Sequence, residues 1–163
     1  MKVLITAASK HGATEEIGAR IGSVLDARGH QVEVRCPSEV RDVARYDVVV
    51  VGSAVYAGHW QKDAKELVER EASVLRHRPV WLFSSGPVGD PPKPQDVPAD
   101  VEAVVVATGA YEHHVFAGRI EKQALSMPER ALVKALRVAE GDYRDWNEID
   151  RWATTIADSI SSG

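Results

Sequence analysis

Cysteine is nearly absent from this chain: Cys36 is the single one in 163 residues. That excludes an internal disulfide and any cysteine-rich metal site. No apolar run approaches the ~20 residues that a membrane span needs. Positive charge is not in excess either, since the formal net charge is −4 and no basic stripe stands out, so the footprint of a nucleic-acid binder is missing. Internal repeats and low-complexity tracts are lacking. Met1, Lys2 and Val3 run directly into an apolar segment, which predicts no signal peptide and a cytoplasmic protein. The hydrophobic share of 44 % and charged share of 27 % are those of ordinary globular material. The length then predicts one domain, residues 1–163, large enough for a full core.

Several nucleotide-binding signatures are missing as well. Gly-x-x-x-x-Gly-Lys-Ser/Thr does not occur, which excludes a Walker-type triphosphate loop, and Gly-x-Gly-x-x-Gly does not occur, which weakens a dinucleotide reading. Carboxylates at the ends of the first and third strands would mark a receiver-type cation site. Those strands end instead in Ala7-Ala8 and Gly52-Ser53.

What is present begins at Val3, Leu4 and Ile5, an apolar run that stops at Ser9, Lys10, His11, Gly12, Ala13 and Thr14. Ile17, Ile21, Val24 and Leu25 follow at helical spacing. A strand, a small-residue loop and a helix start aim backbone N–H groups and the positive end of a helix dipole at one spot. Ser9 and Thr14 add hydroxyls, Lys10 a charge, and Gly12 backbone freedom. The loop is suited to a phosphate. Taken alone, it also fits a tight turn in any α/β fold.

Further along, Val32 to Val34 reads as a second strand and Asp47 to Val51 as a central one, buried on both faces. Ala64, Leu67, Val68, Ala72 and Leu75 mark a helix. Val80 to Phe83 reads as strand four and Val101 to Ala107 as strand five. An extra helical stretch is predicted over Glu129 to Val138. The last helix carries a strict stripe of Ile149, Trp152, Ala153, Ile156, Ala157 and Ile160, opened by a capping-box pattern at Asp145 and Glu148. Strands alternating with helices imply a parallel sheet covered on both faces. Between strands four and five, the proline-rich segment from Ser84 to Asp100 lacks helical period, so the crossover is predicted to be an irregular loop in place of a helix.

With strand order 2-1-3-4-5, the loops after strands one, three and four share one edge, where ligands of such sheets sit. Loop three holds Gly52, Ser53, Ala54, Val55, Tyr56, Ala57, Gly58, His59 and Trp60; loop four starts with Ser84, Ser85, Gly86, Pro87 and Val88. Small residues admit a planar ring and aromatics can stack on it. A phosphorylated, flat, heteroaromatic ligand fits these three loops. The adjacent His113 and His114 point apart in any extended segment and have no cysteine or carboxylate cluster beside them, so a sheet-edge role is favoured over a metal. Trp81 and Trp152 are predicted in the core. Residues 142–145 read as a capped loop before the last helix, with ligand contact as the rarer alternative.

The order of these segments resembles the flavodoxin superfamily, and most closely the single-domain menaquinone-dependent protoporphyrinogen oxidase type. The resemblance is carried by residues 9–14, by Asp47 through Trp60, by Ser84-Ser85, and by the tail from Arg130 to Ile156, and so spans nearly the whole chain. It implies a flavodoxin-like three-layer sandwich around a five-stranded parallel sheet, and flavin mononucleotide (FMN) as cofactor, with a phosphorylated deazaflavin as the alternative. Ser9 to Thr14 would hold the phosphate. Ser53 to Trp60 would flank the ring, with Tyr56 or Trp60 stacking on it, and Ser84 to Val88 would approach its pyrimidine edge. The implied activity is that of an oxidoreductase passing electrons between a small substrate or partner and a quinone-like acceptor. A pure electron carrier and a non-redox binding module are the alternatives. Catalytic acids or bases are not identifiable, and donor and acceptor are unknown.

Overall fold

The computed structural model describes residues 1–56, 58–86, 99–120, 126–135 and 141–162. Its main sheet is built from β1 (Lys2–Ala8), β2 (Gln31–Arg35), β3 (Val48–Tyr56), β5 (Val80–Gly86) and β6 (Glu112–Ala117) in the order β2-β1-β3-β5-β6, all parallel. The predicted five-strand order is therefore found, with β4 (His59–Trp60) added as a short antiparallel arm on β3. A run such as Val48 to Val51 is apolar at every position because both faces of the strand are covered.

One face is covered by α1 (Ala13–Ala27) and α5 (Trp146–Ser162). Ile17, Ile21 and Leu25 meet Ile149, Trp152 and Ile156 over Ile5, Val50 and Phe83. On the other face, α2 (Lys62–Leu75) and α3 (Ala99–Thr108) place Leu67, Val68, Val101 and Val104 against Leu4, Val49, Val51 and Leu82. Gly52 is required by this packing. A Cβ there would lie 2.1 Å from the Phe83 ring, well inside van der Waals contact.

The crossover corrects two expectations. Val101 to Ala107 is not strand five but most of α3, so a helix does cross over, and strand five is β6. Three consecutive valines at 104–106 imitate a buried strand, and periodicity alone cannot separate a short apolar helix from one. The helix betrays itself in burial: Val101, Val104 and Thr108 are buried, whereas Val106 is 72 % exposed. β6 escaped notice because an edge strand that opens with Glu112, His113 and His114 lacks the apolar run of its neighbours. Most of the proline-rich segment, residues 87–98, lies outside the described residues.

After β6 the chain forms a small added unit. It comprises β7 (Arg119–Ile120), α4 (Met127–Ala135) and β8 (Gly141–Asp142), with β7 and β8 paired antiparallel. The predicted extra helix is thus found, starting two residues early; residues 136–138 of that prediction lie outside the described residues. Asp145 Oδ1 accepts from the backbone N–H of Asn147 and Glu148 at 3.0 and 3.1 Å, capping α5 as expected. The Glu148 carboxylate serves elsewhere: it accepts from His114 Nε2 at 2.8 Å. Among the described residues, no helix is long and apolar enough to cross a membrane.

Candidate functional site

The carboxyl ends of β1, β3 and β5 form one edge, and the residues predicted for a site gather there. At the end of β1, Gly12 adopts a left-handed φ of +87° and occupies the N-cap position of α1. A Cβ would meet nothing there, so the backbone conformation selects glycine. The Gly12 N–H donates to Ser9 Oγ at 2.8 Å, which closes the turn. No side chain caps the first turn of α1. Its N–H groups are the kind of donors that an anion satisfies. Thr14 is a buried hydroxyl at that turn, only 1 % exposed.

The loop's own charged groups meet partners from the added unit and the segment after it. Lys10 Nζ lies 3.3 Å from Glu129 Oε1, and His11 Nε2 donates to Glu129 Oε2 at 2.8 Å. Glu129 is 4 % exposed. Ser126 donates to it from both its backbone N–H (3.1 Å) and its hydroxyl (2.7 Å), at the start of α4. Burial would raise this carboxyl, but the hydrogen bonds from His11 and Ser126 outweigh it and push its pKa down to about 2. Arg119 donates to the His11 carbonyl at 3.3 Å and to Glu16 at 3.0 Å. Arg144, whose side chain is 4 % exposed, donates to the Ala13 carbonyl at 3.3 Å and to Glu16 at 2.8 Å, and sits 4.7 Å over the Trp146 ring. The 142–145 segment is therefore both a capped loop and a brace for residues 13–16.

On the β3 side, Ser53, Ala54, Val55 and Tyr56 continue the strand, Gly58 turns with φ +82°, and His59 and Trp60 return as β4. Half-buried Tyr56 carries Lys10 Nζ 4.7 Å above its ring, which brings the first and third loops together. Trp60 is different. It is 2 % exposed within the core, and its indole N–H donates to Ser84 Oγ at 2.8 Å. Of the two stacking candidates only Tyr56 has a ring face at the edge. Ala57, Pro87 and Val88 lie outside the described residues.

Polar contacts fix the hairpin. Ser53 Oγ accepts from the Gln61 N–H at 2.8 Å, and Asp100 Oδ2 accepts from the Trp60 N–H at 3.0 Å. Exposed His59 reaches the same Asp100 oxygen at 3.3 Å, and Lys65 pairs with it at 3.4 Å. Burial works against the Asp100 charge, yet the Trp60 N–H and Lys65 hold its carboxyl below the usual range. Ser84 Oγ lies 2.7 Å from His113 Nε2. The Ser84 hydroxyl thus joins the Trp60 indole to the His113 imidazole. Burial, reinforced by the charge of His114, keeps His113 below the ordinary imidazole range. His114 faces the opposite side of the sheet, with its ring 5.5 Å from that of Trp152. Ser85 is buried at the end of β5, and Gly86 is half-buried beside it.

Cys36 lies half-buried just past the end of β2, and burial together with Glu15 and Glu39 pushes its thiol up. It borders two open recesses, of about 550 and 250 Å³, on the β2 side of the first loop. Glu15, Glu16 and Glu39 with Arg35 and Arg119 line the larger, which Gly12 borders, and Glu15 and Asp63 with Lys62 line the smaller, which Ser9 borders.

A domain family described as "Flavodoxin domain" matches residues 4–147. This chain is a flavodoxin-domain protein. The flavodoxin-domain chain is 24 % identical to protoporphyrinogen IX dehydrogenase [quinone] of Escherichia coli strain K12, across 96 % of this chain and 95 % of that relative. Among solved structures it resembles a flavodoxin from the domain Archaea (TM-score 0.69, 14 % identity, 99 % of both chains). It also resembles the flavodoxin of Streptococcus pneumonia TIGR4 (TM-score 0.66, 20 % identity, 99 % of both chains). The flavodoxin-like fold expected from the sequence is thereby shown.

Sequence reading missed Glu129, Arg119, Asp100 and His113 as members of this edge, and gave Arg144 a place there only as the rarer alternative. Ser126-x-x-Glu129 is itself a capping-box pattern that marks a helix start. Nothing local marks its pairing with residues 118 positions away.

Proposed function

We propose that this protein is a single-domain FMN-dependent redox protein of the cytoplasm. In this reading it transfers electrons between a donor and a quinone-like acceptor. The observation that carries the reading is the first loop: a left-handed Gly12 at an uncapped helix start, with Ser9 and buried Thr14 beside it. That donor set suits a phosphate monoester. Ser9, Gly12, Ala13 and Thr14 would hold it, with Lys10 and His11 at its rim. Tyr56 would stack on the ring, and Ser53 to Val55 and Ser84 to Gly86 would bound it with small side chains and backbone groups. The flavin would supply the redox chemistry.

The protein's contribution is position. The Trp60–Ser84–His113 chain and the Ser53 and Asp100 contacts hold the ring-side hairpin still before any ligand arrives. The name of the Escherichia coli relative favours quinone turnover over a pure carrier role. The first loop recognises only phosphate, so a phosphorylated deazaflavin is the competing ligand.

Reconstitution tests the reading. Purified protein titrated with FMN should take up one equivalent, seen as quenched flavin fluorescence, and a Thr14→Glu variant should take up none. Steady oxidation of reduced protein by a soluble quinone then marks an enzyme, whereas reduction only through a partner reductase marks a carrier. Failure to bind FMN or a deazaflavin overturns the redox reading.

A further inference from the structure

Resting on the phosphate-loop reading above, we propose that Glu129 sets the charge selectivity of that loop, so that it accepts a phosphomonoester and discriminates against ligands bringing further negative charge.

The argument starts from a count of partners. Three cationic side chains reach residues 10–16, Lys10, Arg119 and Arg144, with the His11 imidazole among them. Lys10 and His11 contact Glu129, Arg119 and Arg144 contact Glu16, and Arg144 also pairs with Asp142, so three carboxylates stand against three cations. Every one of them meets a carboxylate of the protein itself. A loop with two basic residues in sequence is therefore close to neutral in space. Its attraction for an anion rests on the first-turn N–H groups, the Ser9 and Thr14 hydroxyls and the helix dipole.

Glu129 differs from Glu16 in its setting. Its side chain is 5 % exposed against 52 % for Glu16, so water and salt screen its charge far less. Four contacts from Lys10, His11 and Ser126 immobilise it. A ligand phosphate arriving at the loop meets a fixed anion directly behind the two basic side chains. One phosphate can be accommodated by the neutral donors. Each further negative charge is met by Glu129 with no unpaired cation to offset it. The same carboxylate holds Lys10 over one face of the Tyr56 ring.

Glu129→Gln removes the charge and keeps an oxygen to accept from Ser126. The apoprotein, wild type and variant, is titrated with FMN and with riboflavin, which has the ring but no phosphate. The ratio of the two dissociation constants isolates the phosphate contribution. In Glu129→Gln that ratio rises about tenfold or more, equivalent to about 1.4 kcal/mol, while riboflavin affinity stays within about twofold. Inorganic pyrophosphate, followed by ³¹P NMR against inorganic phosphate, gains more than phosphate does. Lys10→Gln, which leaves Glu129 under-compensated, lowers the ratio, and the double variant returns it towards wild type.

An unchanged or reduced ratio in Glu129→Gln overturns the proposal. Should that variant fail to fold by circular dichroism, an unchanged ratio in Lys10→Gln overturns it equally. If the wild type binds no flavin, the flavin reading falls by itself. Glu129 is then judged on inorganic phosphate, and a folded Glu129→Gln that binds phosphate no more tightly than wild type ends the proposal.

Discussion

The two ends of the candidate site are held in place by opposite means. The proposed phosphate end, residues 9–16, is braced by charge: its own Lys10, His11 and Glu16 pair with Glu129 and Arg119 of the added unit and with Arg144 just after it. The proposed ring end, the β3–β4 hairpin, is braced mainly by burial and uncharged hydrogen bonds, with Trp60 sealed against Ser84 and His113. The difference follows from what each end would touch. A loop that binds an anion must keep its donors unfilled and near solvent. A wall that bounds a flat ring gains from rigidity and small exposed area. The comparison teaches that one edge can be soft to salt and pH at one end and stiff at the other.

The largest break of this comparison is Trp60→Ala. It empties a core position and strips Ser84 of its donor, so about 3–5 kcal/mol of stability should disappear. Urea unfolding should give the same loss at low and high salt.

Next comes acid at the phosphate end. The Glu129 carboxyl titrates lower in the folded protein, at about 2, than in the unfolded chain near 4.5. Its contribution is therefore present in full above about 4.5 and is lost as pH falls towards 2. The loss should reach at most about 3 kcal/mol. Stability measured between pH 5 and 2.5 should fall less steeply in Glu129→Gln than in wild type.

Ser84→Ala is smaller, about 1–3 kcal/mol, because it leaves the Trp60 N–H and His113 without their shared partner while removing little volume. His113 sharpens the contrast in pH. Its folded-state pKa lies below the unfolded value of 6.5, so the unfolded chain binds the extra proton first. Stability should decline as pH drops through 6.5, and His113→Gln should lessen that slope, leaving the share of His30, which burial also holds low, without touching the one below pH 4.5. The smallest effect sets the floor. Lys62 and Glu66 form an i,i+4 pair in open solvent, and Lys62→Ala should cost about 0.3 kcal/mol, vanishing in high salt.

Legibility followed the range of the interactions. Residues 3–25 declared strand, loop and helix because each signal lies within one turn or one pleat of the next. The stripe on α5 was equally plain, whereas Gly12 and its hydroxyl neighbours suited an anion but, taken alone, fitted a tight turn as well. Trp60 could not be separated from Tyr56, since their side-chain directions depend on the two-residue arm that returns along β3. Val101 to Ala107 misled because an apolar helix wedged against the sheet has no polar face to announce it. Glu129 looked like any helix-starting glutamate. Its meaning lies in partners brought together by the whole topology, which no window of sequence contains.

The bracing of residues 10–16 by Arg119, Glu129 and Arg144 also has a consequence in time. A chain emerging from the ribosome can pair β1 with β2 and β3 long before residue 144 is made. Its first loop then stays without three of its supports until more than 100 further residues have followed. At about 5–20 residues per second, that interval is roughly 10 s. The first loop to be synthesised is thus among the last to be finished, so a ligand that needs the braced loop would wait on the far end of the chain.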